Sequence, residues 1–330
     1  MFISWSRFKL FLLIIPLFLV LVVLWLMAPT SSQPQISIFK TDIPKSQSWA
    51  QLLAKPYPLD YQLIHAGDIT IDRNDLLQNA PDSWADRYKP IPVLSHWLRH
   101  PVHGELLIDA AFSDSFKKDN TGSYSRMMKL LVTLSSIENN LEHNLTSQLP
   151  NNGAGIKQLF ITHFHPDHTA GLDDLPADLP VIAGLSEYDF IARLTNGDLF
   201  DRRSNWLALD FTQGIEVPPF EKVLDVYGDG SLFAISTPGH TAGHTSFLIN
   251  AAQGAKLIVG DASHFSFGFN NNLAPSAIGD GDALLAKKSL SQLILFKKQY
   301  PEVEVILGHE FPNDEEKTNY NQLQVAQDRR

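Results

Sequence analysis

The chain has 330 residues, of which 44 % are hydrophobic and 19 % charged, the composition of an ordinary globular protein. Its formal net charge of −10 argues against a nucleic-acid partner, because phosphate binding needs a surplus of Lys and Arg on one face. The chain has no cysteine, which excludes disulfides, thiolate metal ligands and a cysteine nucleophile. Any metal site must therefore consist of His, Asp and Glu.

An uncharged apolar run occupies residues 10–28, follows Arg7 and Lys9, and precedes the next charged residue, Lys40. A helix of this length spans roughly 28 Å, close to the hydrocarbon thickness of a bilayer. We therefore predict a signal-anchor transmembrane helix over residues 1–28. The preceding positive charges place the body of the chain outside the cytoplasm, which means the periplasm in a Gram-negative cell. A cleaved signal peptide followed by secretion is the alternative, although its apolar core usually has about 7–15 residues.

Residues 29–60 are rich in Ser, Gln, Pro and Lys without apolar periodicity, which predicts a linker before a body of residues 61–330. Apolar patterning predicts strands at residues 61–71, 91–97, 105–109, 159–162, 180–183, 231–236, 245–250, 256–259 and 303–307. It predicts helices at residues 123–141, 186–194 and 282–300. Several neighbouring strands are too close for helical crossovers. We therefore expect an α+β fold with mixed sheets and helices on the outer faces.

The strongest chemical signal is the segment Thr-His-Phe-His-Pro-Asp-His at residues 162–168, directly after a predicted strand. Residues two apart on an extended segment point the same way, so His163 and His165 can share one metal. Asp167 and His168 lie where the chain turns toward a helix and can reach a second metal about 3.5–4 Å away. A solvated His-rich loop is the structural alternative, but such loops are rarely flanked by a strand and a glycine-bearing turn.

Three further predicted strands end at a side chain of metal-ligand type. Each of these side chains directly follows a glycine, in the pairs Gly239-His240, Gly260-Asp261 and Gly308-His309. A glycine permits a sharp turn or a close approach of the backbone. Each pair alone is weak, since Gly-Asp or Gly-His after a strand usually forms only a turn. The four segments together indicate one site.

This pattern, His-x-His-x-Asp-His followed by His, Asp and His, closely resembles the metallo-β-lactamase superfamily over roughly residues 61–312. The resemblance implies a four-layer αββα sandwich with the site at the edge of the sheets. It implies that the first metal is bound by His163, His165 and His240. It implies that the second is bound by Asp167, His168 and His309, with Asp261 bridging the two. The implied cofactors are two divalent cations, with Zn²⁺ as the expected metal.

The resemblance also implies a hydrolase in which a metal-bridging hydroxide attacks an ester, lactone or related carbonyl, since adjacent cations lower the pKa of a shared water. Asp167 and Asp261 are the candidates to orient this hydroxide and pass a proton to the leaving group. His264 stands where the family's lactonases carry a carbonyl-polarising Tyr, and can take that role or point away. Asp109, in Asp-Ala-Ala rather than the usual Asp-Thr-Gly, and His244 are expected to support ligands rather than bind metal.

Within the superfamily the sequence resembles the lactonase-like group and, through Gly308-His309-Glu310, the glyoxalase-II-type thioesterases, which need a further helical domain. A mononuclear iron oxygenase similar to the persulfide dioxygenases is the alternative, and it needs only two His and one Asp. A catalytically silent binding module on the membrane is a third possibility. Seven candidate ligands favour the dinuclear hydrolase. A small-molecule substrate is the expected partner, and the oligomeric state stays open.

Overall fold

The computed structural model describes residues 19–25, 28, 32–41, 48–84, 86–115, 124, 130, 138–140, 144–189, 193, 196–277 and 281–312. Residues 19–25 are helical. Across the described ranges, no helix has both the length and the apolar character that a membrane crossing requires. Most of the predicted transmembrane helix, residues 1–28, lies outside the described residues, so that helix and the location of the protein stay predictions.

The described residues form two sheets with helices around them. The strands in chain order are β1 (Ile36–Ile38), β2 (Asp60–Thr70), β3 (Ile91–His100), β4 (Gly104–Ile108), β5 (Glu138–Asn140), β6 (Ile156–Phe160), β7 (Val181–Gly184), β8 (Trp206–Leu209), β9 (Ile215–Val217), β10 (Phe220–Asp225), β11 (Leu232–Ser236), β12 (Thr245–Ala251), β13 (Gly254–Gly260) and β14 (Glu304–Leu307). The α-helices are α1 (Trp49–Leu53), α2 (Pro166–Thr169), α3 (Leu199–Arg202), α4 (Ser266–Asn270) and α5 (Ala283–Gln299).

Both sheets are mixed, as the strand spacing predicts. The first sheet has the spatial order β1-β8-β7-β6-β4-β3-β2-β5. Its first five strands in this order run parallel to one another, and the pairs β4-β3, β3-β2 and β2-β5 are antiparallel. The second has the order β14-β13-β12-β11-β10-β9, and among its neighbours β13 and β14 run parallel while the other pairs are antiparallel.

The sheets pack face to face through strands that bury both of their sides. In β4, Leu106 and Ile108 belong to the core between the sheets, whereas Leu107 belongs to the core on the outer side of the first sheet. In β11, Ala234 lies between the sheets and Phe233 on the outer side of the second. Successive side chains of a strand point to opposite faces, so one strand supplies two cores.

Helices cover the outer face of each sheet. On the second sheet, Asp282 caps α5 by accepting hydrogen bonds from the backbone amides of Leu284 and Leu285. The buried side chains of α5 recur at three- and four-residue spacing and are Ala286, Ser289, Leu290, Leu293 and Phe296. On the first sheet, Leu172 and Phe200 from a short 3-10 helix and α3 complete the outer core. The layers therefore follow the order helix, sheet, sheet, helix, which confirms the predicted αββα sandwich.

Two pieces of the predicted linker, residues 29–60, pack onto this body. β1 extends the first sheet by pairing in parallel with β8, with Ile36 opposite Trp206. Trp49 of α1 is 1 % exposed and donates its indole N–H to the carbonyl oxygen of Val217. Its ring meets the edges or faces of three aromatic rings, Phe220, Phe233 and Phe296. Both pieces therefore belong to the folded body. The sequence does not show this, because a three-residue strand and a short helix anchored by one large side chain leave no repeating apolar pattern.

Two predicted helices are also corrected where they fall within the described residues. Most of the helix predicted at residues 123–141 lies outside the described residues, but Glu138–Asn140 form β5 and pair antiparallel with the end of β2. The helix predicted at residues 186–194 is replaced at its start by a 3-10 turn, Leu185–Glu187. β5 pairs with a distant strand, and the side chain of Glu187 in the 3-10 turn accepts hydrogen bonds from distant segments, neither of which local periodicity reveals.

Candidate metal centre

The candidate site lies at one end of the sandwich, where strands of both sheets terminate. Each segment that follows one of these strands carries polar side chains of the kind that binds or supports a metal. From β4, β6, β11, β13 and β14 these are, in order, Asp109, His163 to His168, His240, Asp261 and His309. Because the two sheets face each other, residues distant in sequence meet there.

Two of the glycines in these segments are required by the geometry around them. A Cβ atom on Gly308 would lie 2.3 Å from Oδ1 of Asp261, so a side chain there would displace the carboxylate. Gly239 has a φ of +140°, and a Cβ atom on it would lie 2.0 Å from the backbone nitrogen of Ala286. Each glycine therefore permits a close backbone approach that sets the position of a candidate ligand.

The first group of candidate ligands comprises three imidazoles and one carboxylate. Nδ1 of His165 lies 2.9 Å from Nε2 of His163 and 3.0 Å from Nε2 of His240. Oδ2 of Asp261 lies 3.5 Å from Nε2 of His163 and 3.3 Å from Nε2 of His240. One ligand atom from each residue lies within 4.8 Å of all the others, so the four atoms surround a common point.

The second group shares Asp261 with the first. Oδ1 of Asp261 lies 3.5 Å from Nε2 of His168 and 3.3 Å from Nε2 of His309. Oδ2 of Asp167 lies 3.7 Å and 3.3 Å from the same two nitrogens. Asp261 thus presents one oxygen to each group, which is the arrangement of a carboxylate that bridges two cations. The structure brings all seven predicted ligands together.

Outward hydrogen bonds set the orientation of the candidate ligand rings. Nδ1 of His240 lies 2.9 Å from the carbonyl oxygen of Ser276, and Nδ1 of His309 lies 2.9 Å from that of Pro92. A carbonyl oxygen only accepts, so Nδ1 of each ring carries the proton and donates it. Nε2 of each ring therefore turns a lone pair toward the site, as a metal-binding imidazole requires.

Asp109 orients the ring of His168 by a hydrogen bond from outside the site. Its Oδ2 lies 2.8 Å from Nδ1 of His168, and its Oδ1 accepts a hydrogen bond of 2.7 Å from the backbone N–H of Thr162. The carboxylate is 2 % exposed and lies on the outer side of the His168 ring. It supports a candidate ligand without facing the shared point itself, in agreement with the role expected from the sequence.

Burial and mutual charge shift the pKa values of the site strongly. Burial lowers the pKa of His165 to about 3 and that of His163 well below its usual value, so both rings are neutral at pH 7. Burial also lowers the pKa of His168, but three carboxylates, Asp109 foremost, outweigh it and raise that pKa well above its usual value. Burial raises the pKa of Asp261, but imidazoles, led by His309, lower it well below its usual range. Asp261 is therefore ionised at pH 7 and favours positive charge between the two groups.

Among the buried polar atoms of the site that lack a hydrogen-bond partner are Nε2 of His168 and Oδ1 of Asp261, one from each side of the second group. Buried polar atoms are nearly always paired, and a cation between these two would satisfy both. Imidazole nitrogens and carboxylate oxygens are ligands that suit zinc and similar divalent ions. The residues present therefore fit a pair of divalent cations that share Asp261.

Two further histidines differ in how they relate to the site. Nε2 of His264 lies 3.2 Å from Oδ2 of Asp261, and its ring stacks on that of His309 at 5.6 Å and 13°. His264 therefore faces the site rather than pointing away. Nδ1 of His244 lies 2.9 Å from Oγ1 of Thr237, which places His244 behind the loop of the first group.

Sequence reasoning missed the groups that orient these ligands from outside. Ser276 and Pro92 act through backbone oxygens, which leave no signature in the sequence. Glu187 is 4 % exposed and contacts both histidine-bearing loops, although it falls inside a segment predicted to be an ordinary helix. A buried Glu in a segment with a helical pattern is indistinguishable from a solvated one until its partners are known.

A family model described as the metallo-beta-lactamase superfamily matches residues 136–309, just over half of the chain. An N-acyl homoserine lactonase AttM from Agrobacterium fabrum is 26 % identical over 173 residues, 51 % of this chain and 64 % of that protein. A hydroxyacylglutathione hydrolase from Hahella chejuensis is 28 % identical over 163 residues, 49 % of this chain and 51 % of that protein. The chain thus aligns with less than two thirds of the length of these relatives.

Solved structures share the fold over most of the chain. An N-acyl homoserine lactone hydrolase with the product N-hexanoyl-L-homoserine at its catalytic metal centre superposes with a TM-score of 0.60 and 19 % identity, covering 80 % of this chain and 97 % of that one. AidC, a dizinc quorum-quenching lactonase, superposes with a TM-score of 0.52 and 16 % identity, covering 83 % and 91 %. At these identities the likeness establishes the fold alone.

Proposed function

Because this chain belongs to the metallo-β-lactamase superfamily, we propose that it is a dinuclear metal-dependent hydrolase that opens lactones or related esters. The proposed cofactors are two divalent cations, with zinc as the metal. His163, His165 and His240 would hold the first, and Asp167, His168 and His309 the second, with Asp261 shared. The proposed substrate is a small molecule.

One observation carries the proposal: the two oxygens of Asp261 face different groups of ligands. Oδ2 lies 3.3 Å from Nε2 of His240, and Oδ1 lies 3.3 Å from Nε2 of His309. A mononuclear iron oxygenase needs two His and one Asp and gives no reason for a complete second group. The second group therefore favours the dinuclear hydrolase over that alternative.

When bound, two adjacent cations supply a hydroxide at neutral pH and polarise the substrate carbonyl. Hydrolysis adds one hydroxide to the carbonyl carbon and breaks the ester C–O bond, which gives a carboxylic acid and an alkoxide. The proton that the acid loses is the one that the alkoxide takes up. The Asp167 side chain is 17 % exposed and that of Asp261 4 %, so Asp167 has the better access to a bound substrate. We assign the proton transfer to Asp167, and to Asp261 the orientation of the nucleophile.

His264 is the proposed contact for the substrate carbonyl. It is 1 % exposed, lies against Asp261, and retains an Nδ1 atom without a hydrogen-bond partner. An imidazole N–H can donate to a developing oxyanion, as the oxyanion-binding donors of acyl-transfer enzymes do. This histidine would take the place of the tyrosine expected in the lactonase group.

The choice of lactones rests on the relatives and the fold. The curated relatives include several N-acyl homoserine lactonases. The solved neighbours include a lactone hydrolase with N-hexanoyl-L-homoserine at its catalytic metal centre and a dizinc lactonase in complex with that product. A thioesterase is also among the relatives, so thioesters are the nearest competing substrate class. Acylated homoserine lactones are therefore the first substrates to test.

The direct test is a substrate panel with the full chain, stripped of metal by a chelator and then reloaded with zinc. The panel holds acyl homoserine lactones, a simple γ-lactone, a glutathione thioester, a phosphodiester and a β-lactam. We expect lactones to be opened fastest, with proton release as the readout and the metal-stripped chain as the matched control. Faster turnover of the thioester or phosphodiester, or lactone opening that survives metal removal, would contradict the proposal.

A further inference from the structure

Glu187 is a buried carboxylate between the two histidine-bearing loops of the first group. Its Oε2 accepts a hydrogen bond of 2.9 Å from the backbone N–H of Phe164. Phe164 stands between His163 and His165 in the chain, so this bond fixes the backbone that carries both rings. The carbonyl oxygen of Phe164 is held as well, by a hydrogen bond of 3.0 Å from Nδ2 of Asn196.

Oε1 of Glu187 contacts the loop that carries His240, the third histidine of the first group. Oε1 accepts a hydrogen bond of 2.9 Å from the backbone N–H of Gly243 and one of 2.5 Å from Oγ1 of Thr241. These two residues follow His240 in the loop after β11. One carboxylate therefore connects a loop of the first sheet with a loop of the second.

Two glycines allow the turn that carries Glu187 to dock this closely. A Cβ atom on Gly184 would lie 2.1 Å from the carbonyl oxygen of Gly243. A Cβ atom on Gly243 would lie 2.5 Å from the backbone nitrogen of Glu187. Since real Cβ atoms do not approach so closely, neither position tolerates a side chain without a shift of the turn. The contact is a built feature of the packing.

The geometry points to Glu187 as a positioning residue for the first metal, a role that rests on the proposed function. The three imidazoles of that group converge on one point only if the loops of His165 and His240 keep their separation, at which Nδ1 and Nε2 are 3.0 Å apart. The hydrogen bonds that Glu187 accepts from Phe164, Thr241 and Gly243 join these two loops. The second group depends instead on Asp109 and on the carbonyl of Pro92.

Glu187→Gln tests this assignment with little change in shape. An amide has one acceptor oxygen and one donor nitrogen, so it must turn a donor toward either Phe164 N–H or the Gly243 and Thr241 donors. Groups that support metal ligands from outside typically change metal affinity by about 10–100-fold when they are replaced. We therefore expect a loss of that size, confined to the first metal.

The measurement is a zinc titration in competition with a chromophoric chelator, in two backgrounds that each leave one group intact. In His309→Ala, where the first group remains, adding Glu187→Gln should weaken zinc binding about 10–100-fold. In His163→Ala, where the second group remains, it should leave zinc binding unchanged. Glu216→Gln, an exposed glutamate of β9, is the matched control and should change neither.

An unchanged affinity in the His309→Ala background, or an equal loss in both backgrounds, would overturn the assignment. If Glu187→Gln does not fold, Thr241→Val takes its place, since it removes one of the three donors and leaves the carboxylate. It should weaken the first site less than Glu187→Gln would and spare the second, and an unaffected first site would again overturn the assignment. The titration uses no substrate, so Glu187-dependent zinc binding in a chain that opens no lactone would contradict the proposed function alone.

Discussion

Asp261→Ala is expected to lower the rate of lactone opening by more than about a hundredfold, because it removes a ligand rather than a supporting group. It is also expected to leave fewer than two metal ions per chain. Each oxygen of Asp261 serves a different group of ligands, so the substitution weakens both sites and removes the link that fixes their separation. The measurements are the turnover of a metal-reloaded variant and its metal content by elemental analysis.

Asp178→Ala is the matched control for that experiment. Asp178 is an exposed aspartate in the connection before β7. Its replacement should leave the rate and the metal content unchanged. Two ions per chain together with full activity in Asp261→Ala would show that the carboxylate does not bridge the metals.

Asp109→Asn is the second substitution with a large expected effect. An asparagine can still accept from the backbone of Thr162, but its amide then donates toward Nδ1 of His168. That ring must adopt the tautomer with its proton on Nε2, which removes the lone pair that faces the second metal. We expect metal affinity at the second site and turnover to fall by about 10–100-fold.

Asp225→Asn is the control for this substitution because Asp225 is also a buried aspartate that accepts backbone hydrogen bonds, from Gly228 and Gly230. β11 runs from this turn to the loop of His240, so Asp225 lies at the opposite end of the sheet from the site. The control should keep its metal affinity and its rate per folded chain. A normal second-site affinity in Asp109→Asn would contradict the role assigned to Asp109.

The sequence predicts the candidate ligands well because each lies directly after a strand and carries a local signature. The His-rich segment at residues 162–168 and the glycines before His240, Asp261 and His309 are visible without any long-range information. Local patterning predicts mixed sheets with helices on their outer faces, and the resemblance to the superfamily adds the order of the four layers. In the structure, strands such as β4 and β11 bury apolar side chains on both faces, as this order requires.

What the sequence does not predict depends on partners far along the chain. Trp49 anchors α1 through rings more than 150 positions away, and β5 exists because it pairs with β2. Glu187 matters only because Phe164 and Gly243 both come to it. Single residues and backbone carbonyls of this kind repeat no pattern, so only the folded chain reveals their roles.

The metal content of the chain tests the central claim most directly. Elemental analysis of protein reloaded with zinc and then freed of excess metal counts the ions that each chain retains. Two groups of ligands that share Asp261 predict two zinc ions per chain. A single ion per chain, and above all a single iron retained in preference to zinc, would contradict the dinuclear site.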